Sequence, residues 1–128
     1  MSDIEQMYKE VILDLYRSPL HAGHLDHPSH EASASNPSCG DVCHIELLVK
    51  NGKVIEAAHQ TSGCAISTAG VSLLVDHLIE KDIKELEKLA DEDVLQMLGV
   101  PITHNRLKCA LLGLRPLKEI IQTMNNVR

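Results

Sequence analysis

The sequence contains no phenylalanine and no tryptophan, and its tyrosines are Tyr8 and Tyr16 alone. Proteins that bind single-stranded nucleic acids stack the bases on aromatic side chains. With only two aromatic residues of this kind, the chain is poorly suited to this mode of recognition. The formal net charge of -6 at pH 7 also disfavours contact with phosphate backbones. Nucleic acid is therefore not among the partners that we expect.

Long apolar runs are missing as well, because no stretch approaches the roughly 18 continuous apolar residues of a membrane-spanning helix. The N-terminal segment is amphipathic and lacks the short apolar core of a secretory signal peptide. We therefore expect a cytoplasmic protein with no membrane partner. In such a reducing compartment the four cysteines are not expected to form structural disulfides, so each is either a small buried hydrophobe or a thiolate with chemistry.

The length of 128 residues and the hydrophobic content of 44% suit one domain over residues 1–128, with a core large enough to fold without disulfides. Ser2 and Glu5 have the spacing of a capping box, and apolar residues then recur at helical intervals, which predicts a first helix over about 3–17. The following segment, to residue 38, is rich in His, Ser, Gly and Pro. It reads as a long surface segment with one short edge strand at most.

A β-hairpin is predicted in the middle of the chain. Residues 42–50 alternate between apolar and polar side chains, Asn51-Gly52 is a strong turn signal, and 53–61 supplies the returning strand. A helix to about Glu80 and short charged helices around 82–98 should follow. The expected fold is α+β, a small antiparallel sheet with helices packed on one face.

The last helix is predicted to begin at Asn105 as its N-cap and to carry Cys109 in its first turn. Pro116 lies inside the helical pattern. Because proline lacks an N–H donor and clashes with the preceding turn, we expect a kink or break near Leu112.

The four cysteines fall into two groups. Cys43 shares the apolar face of its strand, which is typical of a core residue. Cys39 and Asp41 flank Gly40 in a run of turn-forming residues, where a thiolate and a carboxylate two positions apart make half of a metal site. Asp41 is expected to be an exposed turn residue.

Cys64 and Cys109 also lie at the ends of predicted elements. The free N–H groups and dipole of a helix N-terminus should lower the pKa of Cys64, and the neighbouring cations Arg106 and Lys108 should lower that of Cys109. Three thiolates and one carboxylate would complete a tetrahedral zinc site or the terminal ligands of a two-iron cluster. From spacing alone, scattered buried thiols remain the alternative.

Three segments resemble, in order, the cysteine motifs of the IscU/SufU/NifU N-terminal family. They are Cys39-Gly40-Asp41 preceded by Asn36-Pro37, Gly63-Cys64-Ala65-Ile66-Ser67, and Arg106-Leu107-Lys108-Cys109-Ala110-Leu111. The resemblance spans essentially the whole chain. It implies a scaffold that accepts sulfur from a cysteine desulfurase, binds iron, assembles a [2Fe-2S] cluster and transfers it to acceptor proteins.

The same resemblance implies the site residues, which are Cys39, Asp41, Cys64 and Cys109 as ligands of the cluster or of zinc. The persulfide acceptor is implied to be Cys109, as in IscU, or Cys39, as in SufU. A carboxylate is a harder and more easily displaced ligand than a thiolate, so Asp41 suits a site that must release its cluster.

The sequence mixes features of the two branches of the family. The local sequences around Cys64 and Cys109 resemble those of SufU proteins. The segment between these two cysteines, however, lacks the insertion usual in SufU. Lys108 stands where IscU proteins carry histidine, and 102–106 lacks the chaperone-docking motif of IscU. A zinc-dependent sulfurtransferase that relays persulfide sulfur therefore stays open as the alternative function, whereas a purely structural zinc site does not fit Asp41. Lys108 either screens the charge of the thiolates or is an ordinary exposed helix residue.

Histidines recur at every third position in the long surface segment, at His21, His24, His27 and His30. Imidazoles so spaced can bind zinc or nickel, but Pro28 precludes a regular helix through them, and solvated loop histidines are the alternative. His77, at a helical position, is expected to be a partly buried, hydrogen-bonded side chain.

Overall fold

The computed structural model describes residues 3–37 and 40–126, and it has an α+β architecture. The predicted capping box of Ser2 and Glu5 depends on a residue outside this range and stays a prediction. The elements, in chain order, are α1 (Asp3–Arg17), β1 (His30–Asn36), β2 (Asp41–Lys50), β3 (Lys53–Ser62), α2 (Ala65–Leu78), α3 (Ile83–Leu86), α4 (Asp91–Leu98), a 3-10 turn (His104–Arg106), α5 (Leu107–Ala110) and α6 (Leu114–Asn126).

The predicted hairpin is confirmed. Strands β2 and β3 pair antiparallel, and Asn51 and Gly52 both have positive φ, 55° and 74°, as a type I′ turn requires. A β-bulge shifts the register between Leu48 and Val49. The predicted edge strand is β1, which pairs antiparallel with the other side of β2, so the sheet order is β1-β2-β3.

The core lies on one face of this sheet, as predicted. Cys43, Ile45 and Leu47 of β2 are fully buried there and pack with side chains of α2 and α6. Both helices contact the sheet, α2 chiefly at β3 and α6 chiefly at β1. This packing holds the first residue of β2 close to the start of α2.

A smaller apolar cluster positions the remaining helices. Ile12 of α1, Ala69 of α2, Leu98 of α4 and Ala110 of α5 are buried together. At Gly70 a Cβ atom would come within 2.9 Å of the carbonyl oxygen of Ala110, so only glycine allows α2 and α5 to approach this closely. The start of α2 and the short helix α5 therefore lie side by side.

The C-terminal region departs from prediction at one point. The break near Leu112 is confirmed, because α5 ends at Ala110, a turn follows, and α6 begins at Leu114 with Pro116 in its first turn. The N-cap prediction is wrong, since Asn105 lies inside the 3-10 turn. The hydrogen bond from Arg106 N–H to Thr103 O begins that turn two residues earlier. Cys109 consequently belongs to α5 rather than to the last helix.

Within the described residues, no helix combines the length and the apolar character needed to cross a membrane.

Candidate metal centre

Three of the four predicted ligands lie together in the structure. The ligand atoms of Asp41, Cys64 and Cys109 are all within 4.8 Å of one another, although they come from the start of β2, the start of α2 and α5. No other group of three such side chains is this close within residues 3–37 and 40–126. Cys39 lies outside the described residues, so its part in the site stays a prediction.

The carboxylate of Asp41 is held tightly. It accepts a hydrogen bond from the Ser67 hydroxyl, with 2.7 Å between Oγ and Oδ2, and one from the Cys64 N–H, with 3.3 Å between N and Oδ1. A Cβ atom at Gly63 would lie within 2.8 Å of Asp41 Cγ, so glycine is required there. Asp41 is 2% exposed, and the prediction of an exposed turn residue is wrong because β2 begins at this residue and draws it under α2.

Cys64 is the N-cap residue of α2 and is half-buried. Burial alone would raise the pKa of its thiol. Contacts with Ser67, the Cys109 side chain and the backbone N–H of Ile66 outweigh burial and lower that pKa. The direction is the one expected at a helix N-terminus, where oriented N–H groups stabilise a thiolate.

Cys109 has the opposite electrostatics. Burial is the largest effect, and together with the neighbouring Asp41 and Cys64 it raises the pKa of this thiol to about 12. The prediction that Arg106 and Lys108 would lower it is wrong, because both cations are exposed to solvent while the sulfur faces two acidic groups in a buried position. Without metal, the Cys109 side chain is therefore a protonated thiol at neutral pH.

Cys43 lies in the core, as predicted. It is fully buried among the apolar residues between sheet and helices, and burial raises its pKa to about 11 despite a hydrogen bond with Thr61. Such a thiol is inert at neutral pH.

Three of the four histidines of the surface segment contact different partners within the protein. His21 Nε2 lies 2.8 Å from Asp76 of α2, His24 Nδ1 lies 2.9 Å from the buried carboxylate of Glu46, and His30 Nδ1 lies 2.9 Å from Ser29 Oγ. The contacts of His21 and His24 fasten the segment to the fold, whereas His30 contacts its neighbour in the chain. None of these contacts brings the imidazoles to one point. His77 is half-buried on α2, as expected, but within the described residues its imidazole makes no hydrogen bond, so that half of the expectation is wrong.

Sequence reasoning missed two buried polar residues. Ser67 occupies the third position of α2, where a short polar side chain can reach back to the N-cap, and that spacing from Cys64 was the available signal. His59 of β3 is buried and bonds the Leu20 carbonyl through Nε2 at 2.8 Å, which no local pattern indicates.

Comparison with known proteins identifies the family. A family model described as the NifU-like N terminal domain matches residues 7–127. The chain belongs to this family. Its relatives include the iron-sulfur cluster assembly scaffold protein IscU of Streptococcus pyogenes serotype M1, which is 30% identical over 100% of this chain and 91% of the relative.

Two further relatives represent the SufU branch of the NifU-like family. The zinc-dependent sulfurtransferase SufU of Bacillus subtilis is 27% identical, over 92% of this chain and 91% of its own. A crystal structure of a putative SUF-system cluster assembly scaffold from Fervidobacterium islandicum superposes with a TM-score of 0.76 at 26% identity, covering 91% of this chain and 98% of that one. The fold of the NifU-like N-terminal domain thus extends over the length of this chain.

The donor set suits the metals in the names of these relatives, zinc and the iron of an iron–sulfur cluster. Thiolate sulfur lies about 2.3 Å from zinc in proteins, so donor atoms within 4.8 Å of one another can reach one ion after small shifts. Two thiols and a carboxylate are also the ligand types that bind zinc or the iron of a cluster.

Proposed function

We propose that this protein is an iron–sulfur cluster assembly scaffold, on which a [2Fe-2S] cluster is built from iron and desulfurase-derived sulfur and then passed to acceptor proteins. The observation that supports it best is the convergence of Asp41, Cys64 and Cys109 from three separate elements. Cys39 is the fourth ligand of the proposal. The family relationship supports the same function, since several relatives are named as scaffold proteins of cluster assembly.

Sulfur enters by transfer from a cysteine desulfurase to a cysteine of the site, Cys109 or Cys39. The acceptor thiolate attacks the outer sulfur of the desulfurase persulfide, one S–S bond forms as the other breaks, and the desulfurase leaves as a thiolate. No oxidant is needed in this exchange. Reduction of the transferred sulfur to sulfide takes two electrons from a separate reductant.

The electrostatics of the site fit stepwise loading. Cys64 has the lowered pKa and offers a thiolate first, whereas Cys109 gives up its proton only when a cation arrives to replace it. Asp41 contributes an oxygen ligand, which binds iron or zinc less strongly than sulfur does and can be displaced by an acceptor. Lys108 is exposed to solvent, which favours an ordinary helix residue over one that screens the charge of the thiolates.

A second function uses the same residues, namely zinc-dependent transfer of persulfide sulfur. The relative from Bacillus subtilis that bears this name favours it, and the thiol and carboxylate ligands suit zinc equally well. In this alternative the metal stays bound and organises the thiolates, while sulfur alone moves on.

Anaerobic reconstitution distinguishes the two functions. The protein is incubated with a cysteine desulfurase, L-cysteine, ferrous iron and dithiothreitol, then separated and analysed for iron, sulfide, zinc and visible absorption. Iron and sulfide in nearly equal amounts support the scaffold. Zinc that stays bound, together with a persulfide found by mass spectrometry, supports the sulfurtransferase.

The matched variants are Cys64→Ala and Cys43→Ala, each of which removes one thiol. Cluster formation should be lost in the first and retained in the second, because Cys43 lies in the core and its sulfur is not among the atoms that converge on the site. Equal loss in both variants would show that the effect comes from unfolding and would count against the assigned site.

A further inference from the structure

Ser67 connects two of the proposed ligands. It is the third residue of α2 and has no exposed surface. Its Oγ lies 2.7 Å from Asp41 Oδ2 and 3.4 Å from Cys64 Sγ. The side chain therefore lies behind the site, between the carboxylate and the thiol.

A hydroxyl has a single hydrogen to donate. The distance of 2.7 Å to the carboxylate is that of a strong O–H···O bond, so Asp41 is the acceptor. The other carboxylate oxygen faces the Cys64 N–H and the Cα of Gly63. Rotation of the Asp41 carboxylate is thus restricted at both oxygens. The Ser67 side chain restrains one oxygen, and the backbone N–H of Cys64 restrains the other.

We propose that Ser67 is a positioning residue that orients the Asp41 carboxylate for metal binding. The inference rests on the proposed function only in taking Asp41 as a ligand. A carboxylate that is already oriented loses less conformational freedom when it binds, and hydrogen-bond partners of metal ligands typically contribute about 10–100-fold to metal affinity.

The experiment measures the zinc affinity of metal-free protein by competition with a chromophoric chelator. Ser67→Ala should weaken binding by about 10–100-fold. Ser72→Ala is the matched control, because Ser72 is also fully buried in α2 and its Oγ has no hydrogen-bond partner among the described residues. Its zinc affinity should equal that of the wild type. An unchanged affinity for Ser67→Ala, or an equal loss for Ser72→Ala, would overturn the proposal.

A double-mutant cycle separates positioning from a general structural role. When Asp41→Ala has removed the carboxylate, adding Ser67→Ala should cause a much smaller further loss of zinc affinity, since only the longer contact of the hydroxyl with Cys64 Sγ, at 3.4 Å, then remains. If the serine only stabilised the start of α2, its loss would weaken binding by the same factor in both backgrounds, and the proposal would be wrong. Zinc titration needs neither desulfurase nor cluster, so failure here is distinguishable from failure of cluster assembly.

Discussion

Asp41 shows how strongly the surroundings of one residue alter its expected behaviour. In a run of turn residues its carboxylate would be solvated, but in the folded protein it is buried and accepts hydrogen bonds from Ser67 and from the Cys64 N–H. The proposed ligand that binds metal most weakly is thereby held in place. The site combines a harder, displaceable donor with the preorganisation of a buried group.

Asp41→Ala should therefore destabilise the protein and also alter cluster release. Loss of the acceptor leaves the buried Ser67 hydroxyl with only its longer contact to Cys64 Sγ. We expect this to lower the free energy of unfolding, measured by urea titration, by about 1–3 kcal/mol. Transfer of a bound cluster to an apo-acceptor should be slower than in the wild type, because the displaceable ligand is missing.

Cys64→Ala is the comparison for this variant, since it removes a strong soft ligand and should abolish stable binding. If Asp41→Ala lost metal as completely as Cys64→Ala, the carboxylate would be a structural ligand and the labile-scaffold mechanism would fail.

The surface segment before β1 is an example at the scale of an element. It is tied to the sheet through Glu46, whose carboxylate is buried and accepts hydrogen bonds from the Leu25 N–H and the Gln60 side chain and pairs with His24. Burial by itself would raise the pKa of Glu46, but these partners lower it below the ordinary value. One ionised side chain thus contributes to anchoring the segment without regular structure.

Glu46→Gln should lower stability in a pH-dependent manner. The folded-state pKa of Glu46 lies below its unfolded value, so its contribution is fully present above the unfolded pKa and disappears as the pH falls through the folded one. Urea titrations of metal-free protein should show a deficit of about 1.5–3 kcal/mol for the variant at pH 7. The deficit should shrink below a pH of about 4.3. A deficit independent of pH would contradict the role assigned to the charge.

The contact between α2 and α5 belongs to the same scale. Gly70→Ala should push these helices apart, since the new Cβ would collide with the carbonyl oxygen of Ala110, next to Cys109. We expect about 1–3 kcal/mol of lost stability and weaker zinc binding, because Cys109 moves away from Cys64.

Gly52→Ala provides the control for this prediction. The glycine in the hairpin turn has φ of 74°, and no atom lies within 4 Å of the position that a Cβ would occupy. Alanine there strains the backbone of the turn but contacts no residue of the metal site. It should lower stability and leave zinc affinity unchanged. If Gly70→Ala and Gly52→Ala lowered zinc affinity equally, the loss would be due to reduced stability of the fold and not to a greater distance between α2 and α5.

The whole molecule is coupled to its site, because the three proposed ligands Asp41, Cys64 and Cys109 come from elements that tertiary packing alone brings together. Metal that binds this arrangement and not the unfolded chain should stabilise the fold, by about 2.7 kcal/mol when free zinc exceeds the dissociation constant 100-fold. The melting temperature of metal-free protein should rise with added zinc, whereas that of Cys64→Ala should not. A similar rise in both proteins would place the bound zinc elsewhere.

Much of the fold was predictable from local patterns. Alternation of apolar residues, the Asn51-Gly52 turn and the break before Pro116 act through neighbouring residues, so their effects can be read from the sequence. The placement of Cys43 in the core followed from its strand face in the same way. The position of the N-cap in the C-terminal region was not predictable. A 3-10 turn with Thr103 as its N-cap precedes α5, and such short turns shift a helix boundary by one or two residues without a distinct sequence signal.

The sequence by itself determined the elements, their order and the residue types available for a metal site. Only the tertiary structure decided the environment of those residues. Arg106 and Lys108 are neighbours of Cys109 in the chain, yet its pKa follows burial, Asp41 and Cys64, which are distant in sequence and adjacent in space. Electrostatic and hydrogen-bond energies depend on distance through space and on exclusion of water. Both arise here from the close packing of β2, α2 and α5.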